Sequence, residues 1–364
     1  MAKIPATVVT GFLGAGKTTL VRHLLTHAHG RRIALIVNEF GELGVDGEIL
    51  RGCGVENCAD DDVVELANGC ICCTVADDFL PAMTALLDRP NPPEHIVIET
   101  SGLALPQPLV RAFNWPEVRS RLTVDGVVTV VDGPAVAAGR FAADEARVDA
   151  QRAADESIDH ETPLADLFED QLACADMIVV NKADLMEGGA PALAAALRGR
   201  ARRGVQVIEA AMGAVDPAVL LGLGIGAEDD MEARHEVHHH HHDHDDDDHH
   251  DDDHDHDHAH EHGHDEFESF SVDLPELPDP AAFQRAVSET IAAHDLLRVK
   301  GFCAVAGKPM RLLIQAVGPR VDAHYDRPFG ADPRTTRLVV IGLAGIDRAA
   351  VAASLEAAAR AQAA

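Results

Sequence analysis

An α/β fold with a mostly parallel sheet, followed by a smaller α+β domain, is predicted by three features of this 364-residue chain. Residues 1–215 alternate short β-branched apolar runs with helical stretches, the pattern of a parallel sheet covered by helices. A glycine-rich turn, Gly11-Phe-Leu-Gly-Ala-Gly-Lys-Thr18, separates the first apolar run from the first helical stretch. From His235 to His264 a tract with 15 His among Asp runs interrupts the apolar patterning, which then resumes in a different order.

Strands are expected at Ala6–Thr10, Ile33–Val37, Val63–Leu66, Ile96–Glu99, Val127–Val131, Met177–Val180 and Val205–Glu209. Polar motifs follow several of them: Thr10 leads into the glycine-rich turn, Val37 into Asn38-Glu39, Glu99 into Thr-Ser-Gly102, and Val180 into Asn181-Lys-Ala-Asp184. Ligands in open α/β sheets bind at such carboxyl ends. Residues Ala138 to Asp170, rich in Ala, Asp, Glu and Arg, read as helix plus loop without chemistry. The His/Asp tract has almost nothing apolar to pack, which predicts a disordered linker. Beyond it the pattern gives strand Phe267–Leu274, helix Pro280–His294, strands near Leu297–Ala304 and Met310–Val317, strand Arg337–Ile341 and helix Asp347–Ala361. A ferredoxin-like arrangement is one candidate for this part. The expected organisation is therefore 1–234, an α/β domain; 235–266, the linker; and 267–364, a C-terminal α+β domain.

Net charge is -31, but residues 238–266 carry 13 acids and no Lys or Arg, so about -18 belongs to the rest. Nucleic acid is not an expected partner of such a chain, because phosphate contacts need clustered basic side chains. The start, Met1-Ala-Lys-Ile-Pro-Ala, runs directly into an apolar strand without a signal-peptide h-region. No stretch reaches the roughly 18 apolar residues of a membrane span. A soluble, cytoplasmic protein is expected, and the sequence is silent on oligomeric state. Seven cysteines, three of them within four positions, suit metal or redox chemistry better than a disulfide framework.

The Gly-x4-Gly-Lys-Thr pattern between a strand and a helix predicts a P-loop. Gly11, Gly14, Ala15, Gly16 and Thr19 form the loop and first turn around the phosphates of a nucleotide. Lys17 is expected to bridge the β- and γ-phosphates and Thr18 to ligate Mg²⁺. Asn181-Lys182-Ala-Asp184 predicts GTP rather than ATP, since Asp184 can accept from the guanine N1–H and exocyclic amine while Asn181 meets the O6/N7 edge. An acid at the end of a buried strand is costly unless a cation or its water binds it, which places Glu99 in the Mg²⁺ shell and makes Gly102 a γ-phosphate-sensing hinge. The bland alternative for Glu99 is a carboxylate capping the next turn. Asn38-Glu39-Phe-Gly-Glu42 occupies the place of a switch, with Glu39 preferred over Glu42 for contact with the metal or the attacking water. Lys17, Glu39 and Glu99 are thus the candidate catalytic residues of a GTPase. No glutamine or arginine finger is visible, so hydrolysis is expected to be slow unless stimulated.

Cys70, Cys72 and Cys73 cannot all point one way from a regular strand or helix, so a turn at Asn68-Gly69 is needed to converge them on one ion. Thiolates select soft or borderline metals, and tetrahedral Zn²⁺ or Co²⁺ suits them. A redox dithiol and inert buried cysteines are the rival readings. Cys53 and Cys58 read as loop cysteines or auxiliary ligands, Cys174 and Cys303 as core. His238, His240 and His242, with the rest of the tract, suit weak binding of divalent ions, as a reservoir or capture arm, or else serve only as a solvating linker.

Val9-Thr-Gly-Phe-Leu-Gly-Ala-Gly-Lys-Thr-Thr-Leu20, Asn38-Glu-Phe-Gly-Glu-Leu-Gly-Val-Asp46, Glu65-Leu-Ala-Asn-Gly-Cys-Ile-Cys-Cys73, Glu99-Thr-Ser-Gly-Leu-Ala104 and Asn181-Lys-Ala-Asp-Leu185 together resemble the CobW family of GTP-dependent metallochaperones. The resemblance implies a metal motif at Cys70, Cys72 and Cys73, Mg²⁺ and switch residues at Thr18, Glu39 and Glu99, and a guanine motif at Asn181, Lys182 and Asp184. Residues Ala150 to Leu172 resemble the branch of that family tied to aerobic cobalamin biosynthesis, which implies Co²⁺ supply to a cobaltochelatase. Zinc-delivering relatives share the same motifs, so a zinc chaperone serving another metal-requiring client is the alternative. A His-rich metal store with a regulatory GTPase is the reading from a different class.

Overall fold

In the computed structural model, residues 3–28, 30–37, 63–65, 79–154, 163–229, 231, 234, 267–318, 320–329 and 334–360 are described. The chain divides into two compact units, Met1–His235 and Glu236–Ala364. Among the described residues no helix is long and apolar enough to cross a membrane.

The first unit is built on seven strands: β1 (Ile4–Thr10), β2 (Ile33–Val37), β3 (Val63–Glu65), β4 (His95–Glu99), β5 (Leu122–Asp132), β6 (Met177–Asn181) and β7 (Gln206–Ala210). They lie in the order β3-β2-β4-β1-β5-β6-β7, and every pairing is parallel. Strands buried on both faces read as continuous apolar runs, and β2, β4 and β6 are buried along their whole length. Two apolar clusters cover the sheet. One gathers Val8, Ile36, Ile98, Phe79 and Phe113; the other gathers Phe12, Leu103, Phe168, Ile178 and Leu197.

β5 is longer than its apolar run predicts. Asp125 and Gly126 interrupt the hydrophobic pattern, yet the strand continues because the Asp125 carboxylate accepts from Gly222 N at 2.5 Å and Gly224 N at 2.6 Å. Thr7 of β1 also donates to Asp125, at 3.3 Å, and lies 2.8 Å from His95 Nε2 of β4. Since that hydroxyl hydrogen goes to Asp125, Thr7 accepts from the imidazole. A polar ladder thus spans three strands inside the sheet, its members hydrogen-bonded as buried polar groups must be.

The second unit has a five-stranded antiparallel sheet, β8 (Phe267–Leu274), β9 (Arg298–Cys303), β10 (Met310–Val317), β11 (Arg320–Pro328) and β12 (Thr336–Leu343), ordered β11-β10-β9-β12-β8. Helices Pro280–His294 and Arg348–Arg360 pack against the sheet through Phe283, Val287, Ile291, Val351 and Leu355. The ferredoxin-like candidate is corrected. Strand β8, its helix and β9 do form a split βαβ with β12 inserted between the strands, but the second helix comes last and β11 is added at the edge. β11 escapes the sequence pattern because an edge strand is largely solvated: His324, Tyr325, Asp326 and Arg327 are exposed.

Candidate functional site

All seven parallel strands end at one edge, and β1 lies there between β4 and β5. β2, β3 and β4 lie on one side of β1 and β5, β6 and β7 on the other, the kind of switch point at which open α/β sheets bind ligands. The register is informative: Val9 faces Glu99, Glu99 faces Val37, and Val37 faces Glu65. With strands about 4.8 Å apart, the roots of the two segments that follow β2 and β3 stand about 5 and 10 Å from the Glu99 backbone.

Between β1 and helix α1 (Lys17–Thr26), Gly11, Gly14 and Gly16 adopt φ of +135°, +77° and +100°. Gly11 and Gly16 are also required sterically. A Cβ at 11 would sit 2.1 Å from the Val130 carbonyl oxygen, and one at 16 would sit 2.2 Å from Asn181 Nδ2. Ala15 N donates to Phe12 O at 3.2 Å and closes the turn. Helix α1 starts with no side-chain cap and no acid in its first turn. Its amino end, with oriented N–H groups and the positive pole of the helix dipole, is suited to an anion. Phe12 is held by Phe141 and Phe168, ring centroids 5.7 and 5.9 Å away, so the stretch read as free of chemistry supports the loop.

Lys17 is buried, with Nζ donating to the carbonyls of Gly11 at 2.8 Å and Phe12 at 3.1 Å. Thr18 Oγ1 donates to Glu99 Oε1 at 2.8 Å. This pairs a hydroxyl at the start of α1 with a carboxylate at the end of β4, both hard oxygens of the type Mg²⁺ takes. Glu99 is only 4 % exposed, which makes a charge-balancing cation there physically reasonable. A Cβ on Gly102 would come 2.7 Å from Leu13 N, so the chain leaving β4 lies directly on the phosphate loop.

Asn181 differs from its expected use. Its Nδ2 donates to Ala15 O at 2.8 Å, and its Oδ1 accepts from Gly213 N at 2.9 Å. The carboxamide ties three loops together and retains one Nδ2 hydrogen. Lys182, at φ 61°, donates to Asp132 at 2.5 Å, and Asp132 also caps the following helix through Ala135 N at 3.2 Å. Asp184 is exposed in the turn Ala183–Leu185.

Sequence reasoning missed four supporting groups: Gln171, Asp132, and the apolar pair Leu185 and Met212. Gln171 is fully buried, and its Nε2 donates to Gly102 O at 3.3 Å and Ala104 O at 3.2 Å. A glutamine on the apolar face of a helix was its only signal. Leu185 and Met212, 66 % and 73 % exposed, stand on the loops after β6 and β7. Gly213, at φ +67°, presses that second loop onto Leu20 of α1.

Glu39, Glu42, Cys53, Cys58, Cys70, Cys72, Cys73, His238, His240 and His242 lie outside the described residues. Among the described residues no group of three or more His, Cys, Asp and Glu is placed to hold a metal. Cys174 and Cys303 are buried, and burial pushes their thiols up to about 11 and about 12, so both are inert core residues.

A strand, a glycine loop and a helix with its lysine and threonine define a P-loop nucleotide-binding protein, and the Asn-Lys-x-Asp turn tied into that loop narrows the class to GTPases. The chain belongs to the CobW/HypB/UreG family: residues 5–209 match its nucleotide-binding domain, and residues 267–359 match the cobalamin synthesis protein cobW C-terminal domain. It is 58% identical to the "Zinc chaperone CobW" of a Sinorhizobium species, over 98% of this chain and 97% of that one. A protein of the same name from Pseudomonas aeruginosa is 54% identical, over 98% and 91%. "Zinc chaperone YjiA" of Escherichia coli is 30% identical, over 94% and 95%. The chain is a GTPase.

Proposed function

We propose that this GTPase is a metallochaperone that binds its cargo through Cys70, Cys72 and Cys73 in the Mg²⁺-GTP state and yields it to a client after hydrolysis. The observation that carries the proposal is the register at the sheet edge, where Glu99, Val37 and Glu65 stand side by side. Glu39 and the cysteine motif follow the second and third of these. A change at Glu99 is thus two strand spacings from Glu65, five residues before the first of the three cysteines in sequence.

In this scheme the loop N–H groups hold phosphate oxygens and Lys17 leaves its carbonyl partners for the β- and γ-phosphates. Thr18 and Glu99 hold Mg²⁺, which supplies charge neutralisation at the phosphates. Glu39 orients the attacking water, and Gly102, pressed on Leu13, registers loss of the γ-phosphate. Asp184 pairs with the guanine N1–H and amine, the remaining Asn181 hydrogen meets N7, and Leu185 and Met212 flank the base. Nucleotide can alter metal affinity only as far as the two states differ in their metal contacts.

The name of the relatives at 58% and 54% identity supports Zn²⁺ as cargo, and the client in this reading is a metal-requiring protein of the cytoplasm. A second reading, Co²⁺ carried to a cobaltochelatase, is favoured by the cobalamin-synthesis description of the matched C-terminal domain. Anaerobic competition of Zn²⁺ and Co²⁺ against a calibrated chelator, with Mg²⁺ plus GDP or a non-hydrolysable GTP analogue, tests both. An affinity gain with the analogue, lost in Cys72→Ser and Cys73→Ser, is expected; equal affinity in the two nucleotide states refutes the proposal. Rescue of a deletion strain by zinc or by cobalamin then separates the cargoes.

A further inference from the structure

The acidic tract leaves the first unit beside a concentration of arginines. Arg198, Arg200, Arg202 and Arg203 lie at the end of helix Ala190–Arg200 and in the turn before β7. Arg234, the last described residue before the tract, joins them. Its guanidinium holds Asp176 at 2.8 and 3.0 Å, and Arg202 reaches the same carboxylate at 3.0 Å. Both also cap the end of helix Leu164–Cys174, Arg202 through the Ala173 and Ala175 carbonyls at 2.6 Å each, and Arg234 through that of Cys174. Cations are favoured there, because the last carbonyls of a helix lack partners and carry the negative pole of its dipole.

Charge at this turn does not balance. Asp176 pairs with Arg202 and Arg234, and Glu169 with the half-buried Arg200. Arg198 and Arg203 are exposed, and among the described residues neither makes an ion pair. The five guanidiniums are thus paired with only two carboxylates, in a chain whose net charge is -31. Residues 238–266, by contrast, carry 13 acids and no Lys or Arg. Arg234 holds the root of that segment against the turn, and the stretch from Arg234 to Asp243 reaches at most about 30 Å when extended. Exposed ion pairs are individually weak. A tethered segment, however, meets its target at an effective concentration of order mM, so many weak pairs suffice.

We infer that this arginine turn is the docking surface of the chain's own acidic tract, and that divalent metal taken up by the tract releases it. Metal bound by the imidazoles and carboxylates offsets the negative charge that the arginines attract, while the arginines themselves are unchanged. The turn precedes β7 and Asp176 precedes β6, so docking uses the edge of the sheet opposite the phosphate loop. The inference does not rest on the chaperone reading.

The test is phenylglyoxal modification of arginines in the full-length, metal-free chain, read residue by residue by mass spectrometry, beside a chain lacking residues 236–264. Arg198 and Arg203 are expected to react about threefold or more slowly with the tract present, as a tethered contact would have it. The difference should vanish in 1 M salt, where the Debye length is about 3 Å. Zn²⁺ added to saturation of the tract should raise both rates to those of the shortened chain. In the full-length double variant Arg198→Gln, Arg203→Gln the tract should bind Zn²⁺ more tightly than in the parent, because docking and loading oppose each other reciprocally. Equal rates in the two metal-free chains would overturn the proposal. So would slowing shared equally by Arg22 and Arg31, exposed near the end of α1, which would show only a diffuse effect of charge. Rates that stay low at saturating Zn²⁺, or an unchanged Zn²⁺ affinity in the double variant, would overturn release by metal.

Discussion

Gly16 shows how a single residue supports two parts of the site. Its φ of +100° shapes the phosphate loop, and its missing Cβ leaves room for the Asn181 carboxamide that bonds to Ala15 O. Gly16→Ala brings strain of about 1–3 kcal/mol for the backbone alone, before any clash with Asn181. GTP binding by calorimetry should weaken at least tenfold, in line with about 1.4 kcal/mol per decade, with the circular dichroism spectrum retained. Glu99→Gln keeps size and hydrogen bonding but removes the charge that faces Thr18. Single-turnover GTP hydrolysis should fall by about 10² or more, the scale of losing one electrostatic contact in a reaction centre, while nucleotide binding persists. A hydrolysis rate equal to the parent's would remove Glu99 from the Mg²⁺ shell.

Strand β6 is pinned at both ends. Asn181 fixes its carboxyl end to α1 and the loop after β7, while Asp176, just before its start, accepts from Val127 N at 2.9 Å, Arg202 at 3.0 Å and Arg234 at 2.8 Å. Arg234 also bonds to the Cys174 carbonyl. Burial pushes the Asp176 carboxyl up, but the Arg234 and Arg202 guanidiniums outweigh it and hold the group below the usual carboxylate range. Asp176→Asn would leave two buried guanidiniums without their counter-charge and should cost about 3–5 kcal/mol in urea unfolding. The sign with pH follows from the lowered value. Below the unfolded-chain value of ~4 the unfolded state binds the proton first, so the contribution is complete above that pH and is lost as pH falls through the folded value. Parent stability should therefore drop more steeply below pH ~4 than that of Asp176→Asn; parallel curves would mean that the ion pair contributes no acid sensitivity.

At the scale of the whole chain, charge and chemistry are unevenly distributed. The tract from His235 to His264 holds 15 of the 22 histidines and contains no Lys or Arg. Deleting residues 235–264 should lower the number of Zn²⁺ ions bound at saturation while leaving the GTP-dependent, cysteine-centred affinity in place; loss of both would favour a metal store instead. Much of the molecule was legible in one dimension. Parallel strands buried on both faces leave continuous apolar runs, so β2, β4 and β6 were located to within a residue or two, and the glycine loop with its lysine and the Asn-Lys-Ala-Asp turn announced a guanine-nucleotide site. Polar or solvated strands were not legible: β5 continues through Asp125 because glycine N–H groups from a distant loop satisfy it, and β11 is an edge. The sequence by itself determined the layer architecture, the nucleotide class and the residue types at the phosphates, since these depend on local periodicity and on motifs only a few residues long. Only the tertiary structure decided that Asn181 is mostly spent on tying loops, that Gln171 steadies Gly102, and that Glu99 stands in register with the strand ends leading to Glu39 and the cysteines, because each contact joins residues far apart in the chain.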